Sequence, residues 1–522
     1  MTARQLPPRP SLDQLKHQAK DLLQAARRHD SGARTRFRAL PAFASVSGEA
    51  LDRAPLALHD AQSVIAREYG FDSWNALRER VEELTLEFDA AVDEFLAAAT
   101  DGRSDRAERI LALHPRVADA NLYTALVLGD NASVEARLDR DPSRVTTSGG
   151  PRGWEPLHYV CYTAMAHDAP ARAEGLAACA RRLIALGADP NTRFPWLHHE
   201  VHRPVLWGAS RVVRAMPLVT TLLEAGADPN DGVTLPLAAS AGDIPVLEAL
   251  LAHGASVDQA WVTDGSTPLY AILNWSNTPA GALWLLEHGA DPNAVFSGNG
   301  ETPLHVVARA WDVTLAKAML AHGADISRKR TDGRTPYALA AMNGNQALAD
   351  WLLAQGASPD MAEVDRLVAT CRRGERGAAA ALLAAHPELR DALTDEHYTA
   401  FHQAAERGDV EALETMLACG FDPNRPDASI GKTVLHSAAM AGSPDAVRVL
   451  LAHGASVTAR DREFKGQPLI WAAEGSRNQH LKEKDFATVG KLLLEAGSPV
   501  EWERGAEPAE GLLEIVAAWR RG

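Results

Sequence analysis

The stretch Glu301–Ser327, ETPLHVVARAWDVTLAKAMLAHGADIS, decides the fold. Thr302 can cap a helix N-terminus, and Pro303 suits the first helical position because its missing amide hydrogen is not needed there. Apolar residues then recur at helical spacing, a break follows, and a second apolar stretch runs to Ala321. Gly323 supplies the left-handed residue that ends this second helix. The stretch therefore predicts one helix–turn–helix unit.

The same unit recurs along the chain. Gly-Ala-Asp-Pro-Asn occurs at Gly187–Asn191, Gly226–Asn230 and Gly289–Asn293, and variants begin at Gly254, Gly323, Gly356, Gly420 and Gly454. Successive glycines from Gly254 to Gly356 are 35, 34 and 33 residues apart. A second motif begins 21 residues before a glycine at Thr302, Thr335, Thr399 and Thr433. Two motifs at a fixed offset within a fixed period indicate a repeat architecture.

This pattern resembles the ankyrin repeat, and the resemblance covers roughly residues 94–500. It implies an all-α protein: an ankyrin-repeat α-solenoid of about twelve stacked helix-turn-helix units with short hairpin tips, preceded by an N-terminal helical cap. Each helix pair has an apolar face that it cannot bury alone, so neighbouring pairs stack and bury it together.

The repeats divide the chain into six predicted segments. Ser11–Gln14 reads as a helix start, and the stretch that follows is similar to the helical segment ahead of some bacterial ankyrin arrays. The predicted segments are an N-terminal helical segment at 1–90, degenerate repeats at 91–150, repeats at 151–360, a degenerate repeat at 361–396, repeats at 397–505 and a capping helix at 506–522.

Composition bounds the class of protein. A net charge of −15 argues against a general nucleic-acid binder, which needs a basic face. No apolar run reaches the roughly 18 residues of a spanning helix, and the N-terminus has no apolar core of the secretory kind. Four scattered cysteines without a Cys-x-x-Cys pair predict a reducing compartment. We therefore expect a cytoplasmic protein, and the excess of Arg over Lys favours a bacterial source.

Catalytic and metal-binding motifs are weak. The sequence has no Gly-x-Gly-x-x-Gly, no phosphate-binding loop and no Gly-x-Ser-x-Gly. Ten of the nineteen histidines hold repeat positions, either the fourth position of the starting motif or the end of a second helix. His198, His199, Glu200 and His202 form one further cluster in a predicted loop, but the set lacks a fourth ligand. We therefore predict no metal site, no cofactor and no enzymatic activity.

The resemblance implies a concave binding surface made of the hairpin tips and the ends of the first helices. Aromatic and arginine side chains at such positions are typical of interface hot spots. The predicted function is thus a non-catalytic scaffold that binds another protein. The alternatives are that these aromatic rings are packed, or that an enzyme or small-molecule-binding pocket lies near the 192–203 insertion. The predicted partner-binding residues are Trp261, Asn274, Trp275, Phe296, Arg309, Trp311, Arg328 and Arg330.

Overall fold

The computed structural model describes most of the chain, in two compact units, Met1–Asp264 and Gly265–Gly522. The division between them falls inside the 151–360 segment. The described residues are 4–44, 51, 56–166, 169–195, 202–261, 264–276, 278–478, 481, 483–500 and 510–519.

The described residues up to Thr85 form a helical segment with its own apolar core. Ser11 caps the first helix by accepting a hydrogen bond from the Gln14 amide at 3.3 Å. Leu22, Phe37 and Ile65 lie in the core. The helices are Leu12–Arg27, Ser31–Arg36, the short 3-10 turn Phe37–Ala39, Pro41–Ala44, Leu58–Glu68 and Trp74–Thr85.

Glu83 connects this segment to the helix pair that follows. Its side chain is fully buried and accepts hydrogen bonds from Arg109, at 2.7 Å, and from Arg80, at 3.0 Å. Burial raises the pKa of Glu83, but the bonds from Arg109 and Arg80 outweigh burial, so the pKa is lowered. The carboxylate therefore stays ionised and paired where the N-terminal segment meets the first pair.

Helix pairs fill the remainder of the first unit. The pairs are Phe88–Thr100 with Ser104–Leu113, Leu122–Leu128 with Asn131–Arg140, Pro156–Cys161 with Pro170–Ala185, Val205–Trp207 and its π-helical continuation Gly208–Val213 with Met216–Glu224, and Thr234–Ala241 with Ile244–Ala252. Short 3-10 turns at Pro115–Asp119 and Pro142–Val145 follow the first two pairs.

The second unit repeats the same pairing. Leu304, Val307 and Ala308 of the quoted stretch are buried, as their spacing predicts. The pairs are Pro268–Trp275 with Ala280–Glu287, Pro303–Ala310 with Val313–Ala321, Pro336–Met342 with Gln346–Ala354, Glu363–Arg372 with Arg376–Ala385 and its 3-10 turn Pro387–Arg390, Asp395–Arg407 with Val410–Ala418, Val434–Met440 with Pro444–Ala452, and Pro468–Arg477 with Phe486–Glu495; the helix Glu510–Trp519 comes last.

The described residues thus contain twelve helix pairs, and the predicted all-α repeat fold is confirmed. Two short strands, Arg193–Pro195 and His202–Pro204, form an antiparallel ribbon where the sequence predicted only a loop. Of the described helices, none combines the length and the apolar character that crossing a membrane requires.

In several repeats, the asparagine four residues after the turn glycine forms hydrogen bonds with the backbone of the next turn. Gly323 has a φ of 89°, a left-handed value that favours glycine. The Asn293 side chain donates to the Gly323 carbonyl at 2.8 Å and accepts from the Asp325 amide at 2.7 Å. One amide thus joins two consecutive turns. Asn191, Asn230 and Asn424 make the same pair of hydrogen bonds to the next turn.

Candidate functional site

A cavity of about 760 Å³ lies within the second unit, and we call it the central cavity. The Pro268–Trp275 and Pro303–Ala310 helices form one wall, and the Asp395–Arg407 helix forms another. Its lining residues are Leu273, Asn274, Asn299, Glu301, Val306, Arg309, Ala310, Arg330, Asn343, Asp395, Glu396, Tyr398, Thr399, His402, Gln403, Glu406, Asp427, Ala428, Ser429 and Lys432.

Glu301 organises the first wall. Its side chain is 2 % exposed, and a carboxylate buried to this degree needs partners. Oε2 accepts hydrogen bonds from the Tyr270 hydroxyl at 2.9 Å and from Arg309 Nη2 at 3.0 Å. Oε1 accepts from Arg330 Nη1 at 3.1 Å. Glu301 therefore fixes two guanidinium groups at this side of the cavity.

Arg330 joins this wall to the Asp395–Arg407 helix. Its guanidinium donates to both oxygens of Glu396, at 2.8 and 2.7 Å, and also pairs with Asp332. Burial lowers the pKa of Arg330, but the bonds to Glu396 and Asp332 outweigh burial and raise it. Because a bidentate arginine–carboxylate pair is directional, the Glu396 contact orients the start of the helix.

The Asp395–Arg407 helix has Thr394 and not Thr399 as its N-cap residue, so the helix start predicted for this repeat was wrong, although Thr399 keeps the distance of 21 residues to Gly420. Thr394 is the N-cap residue, and its amide donates to His397 Nδ1 at 2.8 Å. Thr399 lies inside the helix, where its hydroxyl donates to the Asp395 carbonyl at 3.2 Å. Thr394 and His397 are thus the starting motif of this repeat.

At this earlier helix start, His397 has the capping role that His305 has in its own repeat. Thr302 N–H donates to His305 Nδ1 at 3.1 Å, and His305 Nε2 donates to the Arg334 carbonyl at 3.2 Å. His397 likewise accepts at Nδ1 and contacts Asp365 Oδ1 through Nε2 at 2.8 Å. Both nitrogens of each ring are therefore used by the repeat framework.

His402 lies beyond this motif, in the middle of the helix. Its Nδ1 lies 3.0 Å from the Ser437 hydroxyl, which donates to Glu406 Oε1 at 3.0 Å. Lys432 Nζ donates to the same carboxylate oxygen at 3.2 Å. Burial lowers the pKa of His402 to about 4, so the ring is neutral at pH 7. The second wall thus presents a neutral histidine held by a hydrogen-bond chain.

Comparison with known proteins agrees with this geometry. The family model for ankyrin repeats matches three copies, over residues 284–363, 367–461 and 401–497. The chain contains ankyrin repeats. Ankyrin repeats are generally protein-interaction modules.

Two individual matches are human proteins. It is 33 % identical over 152 residues to SH3 and multiple ankyrin repeat domains protein 2, a match that covers 27 % of this chain and 8 % of that protein. The chain therefore spans less than a tenth of that relative's length. The crystal structure of the human ASB11 ankyrin repeat domain is similar at 20 % identity and a TM-score of 0.24, covering 51 % of this chain and 99 % of that one.

The predicted aromatic contacts of the ankyrin repeats differ in exposure. Trp275 is 47 % exposed and follows Asn274, which lines the central cavity. Trp311 is half-buried, and its indole N–H donates to the Leu273 carbonyl at 2.8 Å. Phe296 is half-buried and stacks on Tyr270, with ring centroids 4.8 Å apart. Trp275 is therefore the most accessible of these three rings.

The predicted polar contacts also separate into groups. Asn274 and Arg309 line the central cavity and contact each other at 3.4 Å. Arg330 lines it too but is 8 % exposed, because carboxylates surround its guanidinium. Arg328 is exposed and does not line the cavity. Trp261 is half-buried and belongs to the first unit, so the structure does not bring it together with the others.

The 192–203 insertion carried the alternative prediction of a pocket. Residues 196–201, which include His198, His199 and Glu200, lie outside the described residues. Trp207 is 8 % exposed and packs against Tyr162, at 5.8 Å between ring centroids, and under the Arg203 guanidinium, at 4.4 Å. The described cavity lies elsewhere, and the expected lack of a metal site stays a prediction.

The lining residues of the central cavity that the sequence did not predict as site residues include Glu301, Glu396, His402 and Gln403. A signal for two of them existed. Thr394 and His397 reproduce the Thr-x-x-His spacing, and recognising that start would have placed Glu396 in the first helical turn and His402 mid-helix.

Proposed function

We propose that this ankyrin-repeat protein is a non-catalytic scaffold of the bacterial cytoplasm that binds a partner protein at the central cavity and its rim. The observation that carries the proposal is the position of Trp275. Its large ring is 47 % exposed, and the preceding residue, Asn274, lines the central cavity, most of whose lining residues have polar side chains. A large exposed aromatic side chain beside a polar concavity is a typical interface anchor.

The charges at the cavity support a protein partner over a nucleic acid. Five carboxylates line it, against three cationic side chains, so the cavity lacks the basic face that a nucleic-acid site requires. The localisation is supported by the four cysteines, which are all buried free thiols, as a reducing compartment would keep them.

The test compares Trp275→Ala with Leu353→Ala in the full-length protein. Leu353 is also exposed, at 36 %, but it lies on the Gln346–Ala354 helix and does not line the cavity. After cross-linking in the native cell, mass spectrometry measures which proteins each variant retains. We expect Trp275→Ala to lose a partner by roughly tenfold, which is the effect of about 1.4 kcal/mol.

Both variants should melt at the wild-type temperature, because neither side chain is buried. The proposal is refuted if Trp275→Ala retains the same proteins as the wild type. It is equally refuted if native mass spectrometry finds a stoichiometric small molecule and no protein bound to the purified chain.

A further inference from the structure

Two of the four cysteines are in contact with each other. Cys371 lies near the end of the Glu363–Arg372 helix, and Cys419 directly follows the Val410–Ala418 helix of the next repeat. These two helices pack together, and the Cys371 thiol donates a hydrogen bond to the Cys419 sulfur. The residues are 0 % and 3 % exposed. Thiols in contact can be joined by oxidation without a large movement of the backbone.

The repeat pattern requires a thiol at neither position. Cys371 lies three residues before the left-handed Gly374, and alanine holds this place in four other repeats. The alanines are Ala239, Ala341, Ala405 and Ala439. Cys419 directly precedes a turn glycine, a place where His253, His322 and His453 are exposed. Cys419 is buried instead, so its side chain is directed into the contact between neighbouring repeats.

The surroundings of Cys419 favour its thiolate form. The hydrogen bond from Cys371 lowers the pKa of the Cys419 thiol; burial opposes this, and the guanidinium groups of Arg390 and Arg376 lower the pKa further. The same hydrogen bond raises the pKa of the Cys371 thiol, and burial adds to that effect. Because the thiolate is the nucleophile in thiol oxidation, Cys419 is the more reactive member of the pair.

The other two cysteines provide a contrast within the same molecule. Cys161 and Cys179 belong to the first unit and are both 0 % exposed. Burial raises the pKa of each thiol. Neither is hydrogen-bonded to a second thiol in the described part of the chain. They are therefore internal controls for any reaction of Cys371 and Cys419.

Cys419 is close to solvent although its own side chain is buried. Ala418 and Gly420, on either side of it, are exposed. A local opening of this helix end therefore suffices to admit a small uncharged oxidant such as hydrogen peroxide. The Cys161 thiol, within the Pro156–Cys161 helix, has buried residues on both sides.

We propose that Cys371 and Cys419 form a site of reversible oxidation, at which hydrogen peroxide converts the two thiols into a disulfide that links neighbouring repeats. This goes beyond the proposed scaffold function and does not depend on it. In a reducing compartment the pair is in the dithiol form until peroxide is present.

The reaction has two steps. The Cys419 thiolate attacks one peroxide oxygen, the O–O bond breaks, and the departing hydroxide takes up the proton that Cys419 released, which leaves a sulfenic acid. The Cys371 sulfur then attacks the sulfenic sulfur, and its proton leaves with the hydroxyl group as water. Two thiols and one peroxide thus give one disulfide and two waters. A dithiol reductant restores both thiols by exchange.

The disulfide acts on the segment between the two cysteines. This segment contains the Arg376–Ala385 helix and the Asp395–Arg407 helix, which forms a wall of the central cavity. A cross-link restricts the open and unfolded states of the loop that it closes. Since a linear array depends on coupling between neighbouring repeats, oxidation suppresses local opening of these two helices.

The first test treats the full-length protein with hydrogen peroxide under native conditions. Remaining thiols are then alkylated, and peptides are mapped by mass spectrometry without reduction. We expect one linked pair of peptides, containing Cys371 and Cys419, with a mass lower by two hydrogens. Cys161 and Cys179 should be recovered in alkylated form, and dithiothreitol should abolish the link.

Variants assign the role of each thiol. Cys371→Ala introduces the residue that other repeats have at this place, so it should fold. It should form no disulfide, and dimedone should capture the sulfenic acid at Cys419. Cys419→Ala should leave Cys371 unreacted. If Cys419→Ala fails to fold, the wild type and Cys371→Ala still decide the question, with melting temperatures measured in parallel.

Hydrogen exchange measures the consequence of the link. Amide hydrogens of the Arg376–Ala385 helix should exchange at least about tenfold more slowly in the oxidised protein than in the reduced one. The Ile244–Ala252 helix of the first unit is the control and should not change.

Three outcomes overturn the inference. One is the absence of a linked Cys371–Cys419 peptide pair after peroxide treatment. Another is oxidation of Cys161 or Cys179 at the same rate, which would show that the contact between the two thiols gives no selectivity. The third is an unchanged exchange rate of the Arg376–Ala385 helix in the oxidised protein, which would refute the coupling of the repeats. Capture of Cys371 by dimedone in the Cys419→Ala variant would overturn the assigned roles.

Discussion

The repeats that begin at Thr302 and at Thr394 share the Thr-x-x-His start but use their first helices differently. The Pro303–Ala310 helix has 8 residues. Both ring nitrogens of His305 form hydrogen bonds with backbone groups, of Thr302 and of Arg334. The Asp395–Arg407 helix has 13 residues and extends well past His397. The longer helix contributes Glu396, His402 and other residues to the wall of the central cavity. The extra residues at the start of the Asp395–Arg407 helix thus give this repeat cavity-lining side chains that the repeat beginning at Thr302 lacks at the equivalent positions.

The extension needs compensation, because ordering further residues costs about 1–2 kcal/mol each in backbone entropy. Part of it comes from Glu396, which is paired by Arg330 and also by Arg334 at 2.8 Å. Arg330 simultaneously pairs Glu301, the residue just before Thr302. The two repeats are therefore coupled through one guanidinium group.

The largest expected effect comes from breaking this coupling with Arg330→Ala. Removing the guanidinium leaves Glu301 buried without one of its charged partners and deprives Glu396 of a bidentate bond. We expect a loss of about 3 kcal/mol, or a fall in the melting temperature of roughly 6 °C or more. Differential scanning calorimetry measures it. Arg328→Ala is the control: Arg328 is exposed, so its loss should change the melting temperature by less than about 1 °C.

A smaller effect distinguishes the two histidines of the longer helix. His397→Gln should cost about 2 kcal/mol, because both ring nitrogens are bonded, one of them to the buried Asp365. His402→Gln should cost less than about 1 kcal/mol, because its Nε2 bonds nothing in the described chain. Urea midpoints of both variants, with His305→Gln as the framework reference, provide the measurement. A larger loss for His402 than for His397 would contradict the assigned roles.

The smallest effect tests where the longer helix starts. Thr394→Ala removes the N-cap and should cost about 1 kcal/mol. Thr399→Ala replaces a residue inside the helix by a better helix former and should be neutral or slightly stabilising. Melting temperatures of the two single variants give the order. The register described here is wrong if Thr399→Ala proves the more damaging.

The sequence predicted the repeat period well because it depends on local chemistry. A threonine cap and a proline at the first helical position each favour a helix start, and a left-handed glycine favours a helix end. Thr335, Pro336 and Gly356 show these local effects. The helix start predicted at Thr399 was wrong because Thr399-Ala-Phe-His402 has the residues of the capping motif at the usual distance from Gly420, while the helix itself starts one turn earlier. The first turn of the helix contains Glu396, which pairs with Arg330. These residues are 66 positions apart, so the spacing of neighbouring residues does not indicate their contact.

The candidate site was less predictable for the same reason. Asn274 and Arg309 could be placed at the cavity because helix ends follow from the repeat pattern. The repeat pattern did not predict that carboxylates would surround Arg330, or that the Trp311 indole N–H would donate to the Leu273 carbonyl. Burial of a side chain at a repeat tip depends on neighbours from other repeats, and a single sequence does not record them.

The asparagine bonds between successive turns have a consequence for local unfolding. Asn293 and Asn424 each tie their turn to the next one, whereas Ser327 and Asp360 hold the corresponding places after Gly323 and Gly356 and make no such bond in the described chain. In a linear array, cooperativity depends on the coupling between nearest neighbours. The second unit should therefore open first between these weakly tied turns, so amide hydrogens of the Gln346–Ala354 and Arg376–Ala385 helices exchange sooner than those on either side.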